Sequence, residues 1–400
     1  MPVAYGAIPS SASPRLREPT ARNDSEAQAG FIFGPPPPTL KSSAYHVFFS
    51  NWINVLLPFI PLGIISGMLG WNDALTFTFN FFALLPMAKL LGMATEELAL
   101  RTSQTIGGLL NATFGNAVEL IVGLIALQQG LLEVVRASLL GSILSNLLLV
   151  LGASFLAGGI YHKNQTFNTT AAQTSASLLS IVVMAFVIPA AFSFVVPPDA
   201  GADKLLLELS RGTAIILFII YILFLFFQLK THTELFTQEA GEDEEEPKLT
   251  MAASIALLIA TTLLVSVCGE YLVGSIEYVA EKWHLSNTFV GLILVPIVGN
   301  AAEHVTAVTV ATKDKMDLVI GVAIGSSMQI ALLVTPICVL FGWIIDQPLS
   351  MAFTAFETSV LFVSVFVVNS VIQDGRTNWL EGVMLLAGYI IIAFAFFVMP

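Results

Sequence analysis

From Tyr45 to its C-terminus this 400-residue chain is a nearly unbroken series of apolar stretches. Each approaches or exceeds the length of about 20 residues that a helix needs to cross a bilayer. Only 11% of the residues are charged, against roughly 25% in soluble domains. A soluble fold of this length could not clothe its surface with so few charges, which excludes soluble enzymes, nucleic-acid binders and secreted disulfide scaffolds. The two cysteines, Cys268 and Cys338, both lie in apolar stretches and supply no disulfide framework or metal cluster. The expected fold class is an all-α polytopic membrane protein.

Eleven spans are expected, at roughly 53–71, 73–94, 104–128, 133–158, 168–194, 205–229, 250–280, 286–312, 317–344, 350–372 and 377–399. The stretch 42–52 reads as an interfacial helix leading into the first span. Residues 1–44, rich in Ser, Pro, Ala and Arg, read as a disordered cytosolic tail without a signal peptide. Lys and Arg set the orientation: a cytosolic N-terminus places twelve of the sixteen on the cytosolic side and the C-terminus on the lumenal side. Seven of the 28 acids fall between Glu234 and Glu246, so much of the net charge of −12 is one cytosolic run.

A repeat recurs at a fixed offset of 184 residues. Gly115-Asn116-Ala117-Val118-Glu119 returns as Gly299-Asn300-Ala301-Ala302-Glu303, and Gly141-Ser142 as Gly325-Ser326. Glu97 matches Glu281, Gly107 matches Gly291, and Glu133 matches Asp317. The organisation expected is a tail (1–44), an interfacial helix with an extra first span (45–72), a first five-helix repeat (73–232), an acidic linker (233–249) and a second repeat (250–400). An odd number of spans per copy forces the second to sit inverted. Secondary transporters use that arrangement, with ion sites where the copies meet.

A carboxylate inside a membrane costs at least a few kcal/mol and usually marks an ion or proton pathway. Glu119 and Glu303 occupy matched positions and are the candidate central acids, with His304 beside the second. Taken as straight helices, their spans carry both acids beyond the bilayer centre from opposite sides, and Pro296 hints at a break near Gly299. Their joint charge of −2 suits a divalent cation. Asn116, Asn300, Ser142, Ser145, Ser326 and Gln329 offer the further oxygens that Ca²⁺ prefers, and no His/Cys spacing points to zinc or copper. Two carboxylates sharing a low-dielectric pocket are costly without a positive charge, so Ca²⁺ and protons compete for it. His304 either shares the proton traffic or is a neutral, hydrogen-bonded helix residue.

The paired GNAVE and GNAAEH, the runs TIGGLLNATFGNAVE and VGNAAEHVTAV, and LGSILSN opposite IGSSMQ resemble the calcium/proton exchangers of the cation/calcium exchanger superfamily, most nearly those of the fungal vacuole. The resemblance covers residues 45–400. It implies an eleven-span antiporter, not an enzyme, in the vacuolar membrane that carries cytosolic Ca²⁺ into an acidic lumen against protons. Its essential acids map onto Glu119 and Glu303, its motif asparagines onto Asn116 and Asn300, and its histidine onto His304. Ca²⁺ and protons are then the substrates, with Mn²⁺ an open alternative. No cofactor or nucleic acid is implied, and the oligomeric state is not legible.

Other acids carry competing readings. Glu239, Glu242, Asp243, Glu244, Glu245 and Glu246 form a candidate regulatory Ca²⁺ site or a solvated linker. Glu96 and Glu97 are boundary residues or part of the access path, and Glu270 and Glu357 either pair with a polar partner or line the cavity. Glu277, Glu281 and Asp317 belong to the rims, while Gly107, Gly108 and Gly291 permit close helix packing. The competing functions are a Na⁺-coupled exchanger and a Ca²⁺ channel. An enzyme is disfavoured by the absence of H-E-x-x-H and G-x-S-x-G motifs.

Overall fold

Short polar residues at the borders of the apolar stretches start the helices of this computed structural model, which describes residues 38–49, 51–197, 201–235 and 247–399. Most of the expected disordered tail and all six acids of the candidate regulatory site lie outside the described residues.

Helix α1 (Leu40–Phe49) is followed by a 3-10 turn at Trp52–Leu56 and α2 (Phe59–Met68), with a bend of 82° between the two parts. The interfacial helix thus begins earlier than expected and the first span is shorter. Asn72 accepts from the Ala74 amide at 2.9 Å and opens α3 (Asp73–Ala99). The next stretch divides at Gly115-Asn116 into α4 (Gln104–Phe114) and α5 (Ala117–Gln128). Then follow α6 (Leu132–Tyr161), α7 (Thr169–Val195) and α8 (Ala202–Thr231).

The second half begins with α9 (Met251–Gly274), capped by Thr250, and the short α10 (Ile276–Trp283), so the expected span 250–280 breaks at Ser275. Next come α11 (Asn287–Gly299) and α12 (Ala301–Ala311), bent by 56° at Asn300. Helix α13 (Met316–Ile344) is continuous, and α14 (Ala355–Val371) and α15 (Trp379–Val398) complete the chain. Helix α14 starts later than the expected residue 350 because Met351 donates its amide to Ser210 at 2.9 Å and Thr354 then forms a capping box with Glu357.

Among the described residues seven helices (α3, α6, α7, α8, α9, α13 and α15) are long and apolar enough to cross a membrane, and the two bent pairs, each taken as one span, bring the number to nine. The remaining two expected stretches are shorter: α4 with α5, and the 17-residue α14.

Helix α6 runs through a π turn at Ser145–Val150, and α13 through another at Ile330–Val334. The starts of these turns differ by one residue from the 184-residue offset. Such turns place an extra residue in a helix and recur at functional sites. Helices α6 and α11 cross tightly: a Cβ built on Gly141 would collide with the Leu292 carbonyl, and one on Gly291 would meet Ala137 Cβ at 2.9 Å. Small residues at such crossings let backbones approach where no hydrophobic effect drives association. A two-residue antiparallel ribbon, Gln165–Thr166 with Arg376–Thr377, joins loops of the two halves.

Candidate functional site

Both Gly-Asn pairs end one half-helix and start another. Asn116 (φ −111°, ψ 31°) and Asn300 (φ −82°, ψ 12°) leave the helical region, and α5 and α12 begin at the next residue. Glu119 and Glu303 are therefore third residues of new helices rather than residues deep in straight ones. The depths that straight helices would give therefore do not apply, and the break foreseen near Gly299 has a match at Gly115-Asn116. Each acid sits in a first turn, where unpaired amides and the helix dipole favour negative charge.

An asparagine at such a position ordinarily caps its own helix. Here neither does, and both side chains reach into the opposite repeat. Asn116 Nδ2 donates to Gln329 Oε1 at 2.6 Å, and Asn116 Oδ1 accepts from Ser326 Oγ at 2.7 Å. Asn146 Nδ2 in turn donates to Ser326 Oγ at 3.0 Å. Across the site, Asn300 Nδ2 donates to the Ser142 carbonyl at 3.1 Å. These bonds hold α5 to α13 and α12 to α6.

The Glu119 carboxylate reaches across to the second break. A Cβ built on Gly299 would lie 2.8 Å from Glu119 Oε1, so the bare glycine leaves the space that this carboxylate fills. Glu303 lies within electrostatic reach of Glu119. Among the described residues, both oxygens of Glu119, Oε2 of Glu303 and Oδ1 of Asn300 are buried without a hydrogen-bond partner, as is Asn146 Oδ1. Buried polar atoms are ordinarily paired, and orphaned oxygens at one junction are a cation's complement. A cavity beside Glu119 is lined by Ser138, Ser142, Leu84, Val122, Leu272 and Gly299, among others. Among the described residues no three His, Cys, Asp or Glu side chains converge on a metal position. A cation here would complete its shell from amide, hydroxyl and carbonyl oxygens.

Of the other expected ligands, Asn116, Ser326 and Gln329 spend oxygens on one another, whereas Asn300 keeps one free. The Ser142 side chain lines the cavity. His304 is half-buried on α12, directly after Glu303. Asn146, at the end of the LGSILSN run, joins this network, although in the sequence its one signal is its place beside Ser145.

The boundary acids have structural duties. Glu97 is buried and accepts from the Lys248 amide through both oxygens at 3.0 Å, and from the Leu249 amide at 3.0 Å. Arg101 donates to the Leu249 carbonyl, and Ser43 of α1 accepts from the Thr250 amide at 3.1 Å. The end of the linker is thereby clamped onto α3 and α1. Burial pulls the nearby His46 imidazole below its ordinary value, and the Lys248 charge acts in the same direction. Glu357 serves the α14 cap rather than the cavity beside Glu119. Asp317 accepts from the Asn168 amide at 2.6 Å. Glu270 lines a separate cavity of about 300 Å³ with Asp73, Gln129 and Tyr271.

The sodium/calcium exchanger protein family matches residues 73–230 and 253–398, blocks that each contain one Gly-Asn break and its acid. This chain belongs to that family. Its members are transporters rather than enzymes. Similar relatives include the vacuolar calcium ion transporter of Schizosaccharomyces pombe, 51% identical over 88% of this chain and 86% of that one. The Ca²⁺/H⁺ antiporter of Synechocystis is 44% identical over 86% of this chain and 97% of that one. Among solved structures, native YfkE matches with a TM-score of 0.76 at 37% identity, covering 87% of this chain and 100% of its own. The H⁺/Ca²⁺ exchanger CAX, at 12% identity and a TM-score of 0.65, covers 86% of this chain and 91% of its own and shares the fold.

Proposed function

We propose that this protein is a secondary active Ca²⁺/H⁺ antiporter of the vacuolar membrane, moving cytosolic Ca²⁺ into an acidic lumen by alternating access around Glu119 and Glu303. The observation that carries the reading is the cluster of unpartnered buried oxygens from both copies: Glu119 Oε1 and Oε2, Glu303 Oε2 and Asn300 Oδ1. Similarity to a vacuolar calcium ion transporter and to a Ca²⁺/H⁺ antiporter supports the substrates and the membrane.

The chemistry follows from charge. Two ionised carboxylates in a low dielectric repel each other and are poorly solvated, so the empty, doubly charged site is the state least able to cross between faces. A Ca²⁺ ion cancels the pair, and so do protons. Loading by one therefore releases the other, and the occupied or protonated site is free to change sides. Asn300 supplies a neutral oxygen to the cation, while Asn116, Ser326 and Gln329 hold the surrounding helices. His304 receives or passes a proton beside Glu303.

The supporting architecture is eleven spans. They are the seven long helices, α2 with the turn before it, the bent pair of α11 and α12, α4 with α5 as a broken span, and α14, with α1 at the interface. Five spans per repeat invert the second copy and place the N-terminus in the cytosol and the C-terminus in the lumen. The linker acids 239–246 then face the side that donates Ca²⁺, where they regulate uptake.

The test is purified protein in proteoliposomes with an acidic interior, following Ca²⁺ uptake and lumenal pH together, with an opposed Na⁺ gradient as a separate arm. Glu119→Gln and Glu303→Gln are each expected to reduce exchange at least a hundredfold while the protein still inserts and folds. Uptake retained by either variant, or driven by Na⁺ rather than by protons, would overturn the assignment.

A further inference from the structure

Lys89 lies within the expected span 73–94 and is the seventeenth of the 27 residues of α3. At 1.5 Å per residue, about ten residues or ~15 Å of helix separate it from the end of α3. It is half-buried, and its Nζ donates to Thr306 Oγ1 of α12 at 3.3 Å. Thr306 lies three residues after Glu303, so the two share one face of α12. The Lys89 charge reaches Glu303, as does that of Glu96 farther along α3. The position equivalent to Lys89 in the second copy, 184 residues on, is Val273. The positive charge therefore stands beside one acid of the pair and has no counterpart beside the other.

A fixed ammonium inside the membrane is as expensive as a fixed carboxylate and needs a partner. Thr306 gives it a hydrogen bond but no charge. Its electrostatic partner is Glu303. A cation arriving at Glu303 meets this positive charge, and the penalty grows in proportion to the cation's own charge.

We propose that Lys89 is a positioning residue that acts as a built-in counter-charge on the Glu303 side of the site, weakening its hold on multivalent cations so that Ca²⁺ is released as well as captured. The inference rests on the reading of Glu303 as a cation-binding acid. Thr306 tethers the ammonium one turn from that carboxylate, which fixes the distance over which it acts. The residue tunes affinity and turnover and takes no part in coordination.

The test compares the full-length wild type with Lys89→Gln, Lys89→Met, Lys89→Arg and Thr306→Val, measuring Ca²⁺ and Tb³⁺ binding in detergent and KM and kcat for Ca²⁺ uptake in proteoliposomes. Removing the charge is expected to tighten Ca²⁺ about tenfold, the scale of one partly screened charge at this range. KM falls with it, while kcat falls or stays level because release is slower. A packing change shifts both ions alike, whereas a charge acts on each by its valence. The logarithm of the Tb³⁺ shift should thus be about one and a half times that for Ca²⁺. Lys89→Arg keeps wild-type affinity, and Thr306→Val, which keeps the charge, changes it less than threefold.

Equal shifts for the two ions, weaker Ca²⁺ binding, or a Thr306→Val effect as large as that of Lys89→Gln would overturn the proposal. Lys89→Met carries the same expectation should the glutamine variant misfold. Glu303→Gln measured alongside separates the two levels. If it still transports, the assignment of the acid fails. If it is inactive while Lys89→Gln and Lys89→Met bind both ions as wild type does, only the counter-charge fails.

Discussion

The two copies of the repeat share a pattern but not a set of contacts. Asn116 and Asn300 each follow a glycine at a helix break and reach into the opposite half. Asn116 is bonded through both its oxygen and its nitrogen, whereas Asn300 is bonded only through its nitrogen and leaves its oxygen bare. Gly141 and Gly325 show the same division. A Cβ built on Gly141 would run into the Leu292 carbonyl, whereas one on Gly325 would meet nothing within 4 Å. Glu97 is buried and holds the linker end, and its counterpart Glu281 is exposed. One copy supplies structural ties at places where the other keeps freedom. A site that must bind and release an ion at the seam of two repeats gains from such asymmetry: a seam tied at every atom would leave no free oxygen.

Substitution at the matched glycines should separate the copies most strongly. Gly141→Ala drives a methyl group into a backbone carbonyl that cannot rotate away, at a cost of about 3 kcal/mol or more. Loss of a monodisperse peak and a large fall in the thermal transition in detergent are expected. Gly325→Ala adds a helix-favouring methyl to open space and should leave stability unchanged or raise it by about 0.5–1 kcal/mol. Similar behaviour of the two variants would remove the packing basis of the comparison.

The asparagines should differ in kind rather than in size. Asn116→Ala strands the Ser326 hydroxyl and Gln329 in a buried network, costing roughly 1–3 kcal/mol of stability. Asn300→Ala removes one tie, to the Ser142 carbonyl, together with an oxygen that no packing contact uses. It should weaken Ca²⁺ about tenfold, the scale of one charge-assisted contact, with a smaller fall in the thermal transition. Parallel melting curves and Ca²⁺ titrations check both. A larger affinity loss at Asn116 than at Asn300 would reverse the assignment of ligand and tie.

The smallest effect belongs to the linker clamp. Glu97→Gln gives up part of a charge-assisted bond to the Lys248 and Leu249 amides, worth about 1 kcal/mol, whereas Glu281→Gln should change nothing measurable. The pH dependence of the clamp follows from His46. Its folded value is depressed, so the undocked helix binds a proton more readily than the docked one. Docking of α1 is therefore favoured above about 6.5, the ordinary value of the imidazole, and weakens as pH falls below it. Hydrogen exchange across residues 40–49 at pH 5.5 and pH 7.5 should show faster exchange, relative to the intrinsic rates, at the lower pH. His46→Gln should abolish the difference.

Much of this was legible in one dimension. Apolar length exposed the membrane class, and a fixed offset between GNAVE and GNAAE exposed the duplication and paired Glu119 with Glu303, because intramembrane charge is too costly to be incidental. The expected span starts at 73, 250 and 377 fall within two residues of the helix starts after Asn72, Thr250 and Asn378, whereas the helix after Thr354 starts five residues beyond the expected 350. Three features required the folded chain. The depth of the acids depended on helix breaks, since a Gly-Asn pair permits a break without demanding one. The division of Asn116 from Asn300 depended on which helix of the other copy each side chain met. Lys89 falls inside the expected span 73–94, but its partner Thr306 is fixed only by the packing of α3 against α12. Periodicity and charge cost act along the chain, so the sequence carries them, but a hydrogen bond or a bare oxygen belongs to a pair of helices and exists only once they pack.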